Sequence, residues 1–291
     1  MKSLACLNGV LTAPEEAKIS IWDRGFLFGD SIYEVFRVYQ GRCWLEDLHY
    51  DRLARSLTEV EMTGVDVAGL RARVRHVIAE SGVAEGTVYL QLTRGVAPRK
   101  HTYPDPPVAP TELIVVRPFD VEPARRLQRE GAKAISRPDL RWGRCDIKTT
   151  NLLPNIMAQE AAKRAGCYEA ILYDESGMVT EATHTSLVWF RDGRLEGTPE
   201  GPEILPSTTR RHLLALAEEE GIPFAEVTIS LEDLRKVDEA LFVGTTCEAT
   251  SLVTLDNQPI GSGKPGPIGV RMQAAYQRGL ERWLAQTSSS L

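Results

Sequence analysis

Lys148 stands among small polar residues in Arg144-Cys145-Asp146-Ile147-Lys148-Thr149-Thr150-Asn151, just ahead of a helix start at Pro154. Downstream, Val179-Thr180-Glu181-Ala182-Thr183-His184-Thr185-Ser186 sets one carboxylate among hydroxyls. An amine that forms an imine, with a distant carboxylate in polar surroundings, is the pairing that catalysis through a carbonyl-bearing cofactor requires. Two further segments suit anions. Leu205-Pro206-Ser207-Thr208-Thr209-Arg210 opens a helix, and the N–H groups of a first helical turn have no acceptor within the helix. Plain N-capping by Ser207 is the alternative there. Gly244-Thr245-Thr246, after an apolar strand, is a second candidate rim for a phosphate. Arg99-Lys100-His101 offers a planar donor fork beside an imidazole, suited to a carboxylate, or else is a solvated loop. Arg52, in Asp51-Arg52-Leu53, lies on a helix.

Other chemistries lack their motifs. There is no Walker lysine, no GxGxxG and no GxSxG elbow. His49, His76 and His212 fall in helical stretches as surface or packing residues, and no histidine–carboxylate spacing suggests a metal site. Five cysteines without CxxC spacing read as reduced thiols. A net charge of −6 argues against a nucleic-acid partner. The start Met1-Lys2-Ser3-Leu4-Ala5-Cys6-Leu7 lacks the apolar run of a signal peptide. No segment reaches the roughly 20 apolar residues that cross a bilayer. The expectation is a soluble cytoplasmic enzyme with no membrane partner.

The elements that must position these residues follow from patterning. At 291 residues, one large or two modest domains are expected. A β-branched, aromatic run at 32–39 predicts a strand, and 45–62 a helix with Leu48, Leu53, Leu57 and Val60 on one face. Asp66 caps a second helix carrying Leu70, Val74, Val77 and Ile78. Strands at 87–93 and 112–116 flank the proline-rich loop 98–110, which is either functional or a surface excursion. Pro118-Phe119-Asp120-Val121-Glu122-Pro123 reads as a linker. The expected division is therefore a small N-terminal α/β domain at 1–117, a linker at 118–123 and a larger domain at 124–291. The second half predicts strands at 132–136, 169–173, 185–190 and 240–243. Its helices are predicted from Pro154, over 207–220 and over 268–285. A short low-complexity tail, Thr287-Ser288-Ser289-Ser290, closes the chain.

Taken in order, these segments resemble the fold-type IV, or class IV, pyridoxal-phosphate aminotransferases, and among them the D-amino-acid aminotransferases. The resemblance runs from about Trp22 to Tyr276. Its signposts are Asp23-Arg24-Gly25-Phe26-Leu27-Phe28-Gly29-Asp30-Ser31-Ile32-Tyr33-Glu34, Asp51-Arg52-Leu53, Thr93-Arg94-Gly95 and Arg99-Lys100-His101. They continue with Arg144-Cys145-Asp146-Ile147-Lys148, Gly166-Cys167-Tyr168-Glu169-Ala170 and Val179-Thr180-Glu181. The resemblance implies a two-domain α/β (α+β) fold with the coenzyme pyridoxal 5′-phosphate in the cleft. By it, Lys148 is the Schiff-base lysine and proton shuttle, and Glu181 the carboxylate paired with the pyridine nitrogen. Arg52, Thr208, Thr209 and Thr245 or Thr246 hold the phosphate. Arg99 and His101 match an Arg-x-His carboxylate trap, with Tyr33 as its third wall. In the family that loop reaches the neighbouring subunit's site, so a homodimer is implied, with an amino donor and a 2-oxo acid as its small-molecule partners.

Two departures from the family stand out. After Glu181 the usual serine-rich turn is Ala182-Thr183-His184-Thr185-Ser186, where His184 either contacts the coenzyme or fills space. At the phosphate helix, Pro206-Ser207 replaces a residue-then-glycine step. Rival activities on the same fold are a branched-chain L-aminotransferase, which should lack the Arg-x-His trap, an aminodeoxychorismate lyase and an (R)-amine transaminase.

Overall fold

The computed structural model describes residues 2–287; Met1 and most of the serine-rich tail, from Ser288 on, lie outside the described residues. The chain forms two compact units. The first runs up to Asp120 and also takes in Ile147–Asn151; the second comprises Val121–Asp146 and the chain from Leu152 on.

In the first unit lie β1 (Leu4–Leu7), β2 (Val10–Thr12), β3 (Ser31–Tyr39), β4 (Arg42–Cys43), β5 (Gly86–Thr93) and β6 (Thr111–Pro118). Its helices are α1 (Arg24–Phe28), α2 (Glu46–Glu59) and α3 (Val67–Ser81). The strands make one antiparallel sheet in the order β2-β1-β6-β5-β3-β4. Asp66 caps α3 by accepting from the Gly69 N–H at 3.1 Å, and the predicted face of Leu70, Val74, Val77 and Ile78 is buried. In α2 the buried face is less apolar than its leucines suggest: His49, Tyr50, Arg52 and Ser56 are buried beside Leu53 and Leu57.

In the second unit lie β7 (Ala132–Pro138), β8 (Glu169–Tyr173), β9 (Val179–Ala182), β10 (Ser186–Arg191) and β11 (Arg194–Gly197). They are joined by β12 (Phe224–Glu226), β13 (Glu239–Gly244), β14 (Glu248–Leu255) and β15 (Gln258–Pro259). The sheet order is β12-β11-β10-β13-β14-β7-β8-β9, with β15 on β14. Helices α4 (Glu122–Glu130), α5 (Leu153–Arg164), α6 (Thr208–Glu219), α7 (Leu231–Leu234) and α8 (Pro267–Thr287) complete it. One buried cluster centres on Trp189, Phe242, Leu252 and Leu255, and a smaller one lies where Ala158 and Ala162 of α5 meet β7 and β8. Among the described residues no helix is long and apolar enough to cross a membrane.

Two differences from the sequence expectations matter. Half of the presumed linker is structured: β6 extends through Pro118, and α4 starts at Glu122 with a proline in its first turn. None of α4's residues is buried, so it lacks the apolar stripe that would have marked it. The second difference is that the domain division is not contiguous. Ile147–Asn151 belongs with the first unit because its backbone hydrogen-bonds to the start of β3, Tyr33 N–H to Lys148 O at 2.9 Å and Thr150 N–H to Ser31 O at 3.3 Å.

Successive residues of β3 face opposite ways. Ile32, Glu34, Phe36 and Val38 are all buried. Glu34 is the exception in chemistry, and it is fully paired. Arg52 donates from Nε to Oε1 and from Nη2 to Oε2, both at 2.7 Å, and His49 Nδ1 lies 2.7 Å from Oε2. Burial alone would raise the Glu34 pKa, but Arg52, by charge and hydrogen bonds, and then His49 hold it at about 2. Burial lowers the His49 pKa despite the pull of Glu34.

Because Glu34 is depressed below its ordinary 4.5, its stabilising contribution is complete above about pH 4.5 and is lost as pH falls toward 2. Glu34→Gln removes the carboxylate that pairs with the buried Arg52 and should destabilise the protein by about 3–5 kcal/mol at neutral pH. In urea titrations from pH 7 downward, the gap between variant and wild type should narrow below about pH 4.5. A gap that stays constant with pH contradicts this account.

Candidate active site

In the first unit, Lys148 sits on the short segment laid against β3. Ile147 and Thr149 on either side are buried, and an isolated bridge joins Thr149 to Ile32. The alternation leaves the Lys148 side chain half-buried on the opposite face. Its Nζ lies 4.3 Å from the centroid of the Tyr33 ring, a cation–π distance. Tyr89 follows at 5.6 Å between ring centroids. It sits diagonally across the β3–β5 ladder, where Tyr33 faces Gln91 and Val35 faces Tyr89. Burial, with Tyr33 adding to it, pushes the Tyr89 phenol up to about 12, so it remains an O–H donor, here to Gln91 Oε1 at 2.8 Å. Gly29 closes α1 at φ 66°, a left-handed conformation. A Cβ there would lie 2.4 Å from Asn151 Oδ1, the tip of a side chain that would have to turn aside, so it is the positive φ that favours glycine.

The same unit holds the loop between β5 and β6. Arg99 lies over the Phe28 ring, 5.2 Å from its centroid, and the His101 ring is 5.6 Å from it. The structure thus gathers Arg99 and His101 around one aromatic side chain of α1. Tyr33, Lys148 and the Arg52–Glu34–His49 cluster gather on β3 and α2.

In the second unit, Glu181 is buried on β9. Its Oε1 accepts from Arg141 Nη1 in a short contact and from the Leu205 N–H at 3.2 Å. Arg141 also donates from Nε and Nη2 to Asp139, at 2.9 and 2.7 Å, and from Nη2 to the Glu203 carbonyl at 2.9 Å. Burial opposes the charge on Arg141, but Asp139 and Glu181 outweigh it and raise its pKa. Thr180 ties the same cluster to the strand by donating to Asp139 Oδ2 at 2.7 Å.

Helix α6 begins at Thr208, with Ser207 as N-cap accepting from the Arg210 N–H at 3.1 Å. The capping alternative weighed for Ser207 is therefore real. It serves the Arg210 N–H and not those of Thr208 and Thr209, whose side chains are buried. Thr245 and Thr246 form the half-buried turn between β13 and β14.

His184 is tethered. Its Nδ1 is 2.9 Å from Oε1 of Glu169, which is fully buried and also accepts from the Thr185 hydroxyl and the His184 N–H, each at 3.0 Å. Tyr168 packs edge-on at 5.5 Å, and the imidazole is 44% exposed.

Arg141 and Glu34 are the residues that motif reading passed over. Asp139-x-Arg141 was visible as a pair, but such pairs are common on turns. Glu34 sits inside a strand, and only the fold brings Arg52 to it.

A family model described as amino-transferase class IV matches residues 31–254. The chain is 36% identical over 276 residues to the D-alanine aminotransferase of Staphylococcus haemolyticus, covering 94% of this chain and 97% of that protein. The D-alanine aminotransferase of Bacillus licheniformis is 36% identical over 284 residues, covering 96% and 98%. Among solved structures, the branched-chain amino acid aminotransferase of Escherichia coli superposes with a TM-score of 0.86 at 23% identity, covering 94% and 93%. The fold is thus that of the fold-type IV aminotransferases expected from the sequence. Match to the family model over most of the chain, joined to full-length relatives, is decisive: this chain belongs to the class IV aminotransferases and is a pyridoxal-phosphate-dependent aminotransferase.

Proposed function

We propose that this aminotransferase moves the amino group of a D-amino acid such as D-alanine to a 2-oxo acid such as 2-oxoglutarate by a ping-pong route. The observation that carries this reading is the Arg99-x-His101 pair, held around Phe28 on an ordered loop. The full-length similarity to D-alanine aminotransferases supports it.

The residues present fit the coenzyme. Lys148 offers an amine over an aromatic wall, Glu181 a buried carboxylate, and the start of α6 a turn of N–H groups beside two hydroxyls. Those three suit an aldehyde, a basic ring nitrogen and a phosphate. Bound pyridoxal phosphate supplies an electron-accepting ring that stabilises negative charge on the substrate's α-carbon. In our assignment Lys148 anchors it at C4′ and then carries the proton between the α-carbon and C4′. Glu181, kept in place by Arg141 and the Leu205 N–H, holds the ring nitrogen protonated. Arg52, Thr208, Thr209, Thr245 and Thr246 hold the phosphate, with Arg52 oriented by its two bonds to Glu34. Tyr33, Arg99 and His101 take the substrate's α-carboxylate, which fixes the hand of the α-carbon presented to Lys148. We assign the enzyme to the cytoplasm.

We further propose a homodimer with sites shared by the two copies. Ile19, Ile21, Trp22, Phe26 and Val96 expose between 47% and 69% of their surface around the Asp23–Val96 bridge. An apolar patch of that kind on a protein surface marks a contact surface, and it adjoins the segment that carries Phe28.

Three outcomes follow. Adding D-alanine without an acceptor should bleach the yellow band of the holoenzyme, and L-leucine should leave it unchanged; bleaching by L-leucine alone moves the protein to the branched-chain reading. Lys148→Ala should abolish turnover, a loss of about 10⁴-fold or more as for removal of other covalent nucleophiles, while phosphate-anchored coenzyme is partly retained; full activity in that variant refutes the assignment. Light scattering at micromolar concentration should give twice the chain mass, and a monomer there overturns the shared-site reading.

A further inference from the structure

Arg24 is a buried side chain for which the reaction outlined above has no use. Its side chain is 4% exposed, and Nε donates to Asp30 Oδ2 at 2.7 Å. From Nη1 it donates to the carbonyl of Lys100 at 2.7 Å and to that of Thr102 at 3.3 Å. Those two carbonyls flank His101. The same guanidinium lies 4.9 Å from the Phe28 centroid, the ring that Arg99 and His101 also meet.

We propose that Arg24 is the positioning residue of the substrate-carboxylate trap: it clamps the loop backbone on both sides of His101 and thereby sets where Arg99 and His101 present their donors. The inference rests on the carboxylate-trap reading of that loop. The stretch from Pro98 to Pro110 forms no strand or helix, and Arg99, Lys100, His101 and Thr102 are all exposed, so their own burial does not fix them. The fixing comes from beneath. Asp30 is shared: Arg94 donates to it from Nε at 2.8 Å, and its guanidinium lies 3.6 Å from the Tyr103 centroid. Arg94 is in turn held by the carbonyls of Val60 and Glu61, at 2.6 and 3.1 Å. Two arginines on one carboxylate therefore grip the loop at 100–103. Arginine is required at position 24 because one planar fork must reach Asp30 and the loop carbonyls at once. A lysine offers donors from a single point. Asp23-Arg24-Gly25 sits at the start of α1, where the Arg24 N–H also bonds to Gly95 O at 2.9 Å, so the clamp is built onto the ladder end that launches the loop.

The test uses the holoenzyme and three variants: Arg24→Gln, Arg24→Lys and Arg99→Gln, with the Arg24→Gln/Arg99→Gln double. Trypsin cleaves after Arg99 and Lys100. Nicking there should be about tenfold faster in Arg24→Gln, on the order of one charge-assisted hydrogen bond lost. In the D-alanine half-reaction, Arg24→Gln should raise the apparent dissociation constant by about tenfold and change the limiting rate by less than about threefold. In the Arg99→Gln background it should have no further effect, because residues acting through one another are not additive. Arg24→Lys should fall between wild type and Arg24→Gln in both measurements. Unchanged nicking overturns the clamp. Losses that multiply in the double variant, or fall on the limiting rate alone, overturn the positioning role and leave Arg24 a structural residue. A wild-type enzyme that ignores D-alanine refutes the substrate reading instead, and the nicking rates then still decide whether Arg24 holds the loop.

Discussion

The backbone hydrogen bonds that lay Ile147–Asn151 against the head of β3 are the constraint on which the first unit's chemistry depends. They set Lys148 over Tyr33, and the Ser31 and Thr150 hydroxyls bond to each other across the same two segments. A strand that alternates faces then does two jobs. Tyr33 points to the lysine, and Glu34 points the other way, into the core under α2. One register shift along β3 would exchange those roles, so the long β3–β5 ladder, paired from Ser31 to Val38, fixes the site as well as the sheet.

Buried arginine–carboxylate clusters supply the rest of the rigidity. Arg52 with Glu34, Arg24 and Arg94 with Asp30, and Arg141 with Asp139 and Glu181 each place a guanidinium nearly out of water. Such pairs cost desolvation and add little net stability over an apolar core. What they provide is direction. A guanidinium offers several fixed donors, so one arginine can hold a carboxylate and a backbone carbonyl together. Arg24 does this for the loop at 100–102, and Arg141 does it for Glu181 and the Glu203 carbonyl. Arg141 lies outside the Val179-Thr180-Glu181 motif whose carboxylate it holds, whereas Arg24 and Asp30 belong to one segment.

Periodicity made most of the large elements legible. α3 shows why: its Asp66 cap, its apolar positions every three to four residues and Gly82 at φ 62° all agree. α4 shows the opposite case. Its nine residues carry no buried side chain, and prolines beside it resemble a linker. In α2 the apolar spacing located the helix, yet His49 and Arg52 turned out to face inward, because Glu34 from a distant stretch neutralises the cost of burying them.

The chain's order of motifs was enough to identify the family and to single out Lys148, Glu181 and Arg99-x-His101, because reactive groups in this chemistry must sit in fixed local contexts. Local context is also all that a motif contains. That Lys148 packs with the first unit, that Arg141 is the partner of Glu181, that His184 is tied to Glu169, and that Arg24 grips the carbonyls around His101 depend on contacts between residues far apart in the chain. Such contacts exist only once the sheets have formed, since the free energy that orients a buried charge comes from partners that folding alone brings within hydrogen-bond reach.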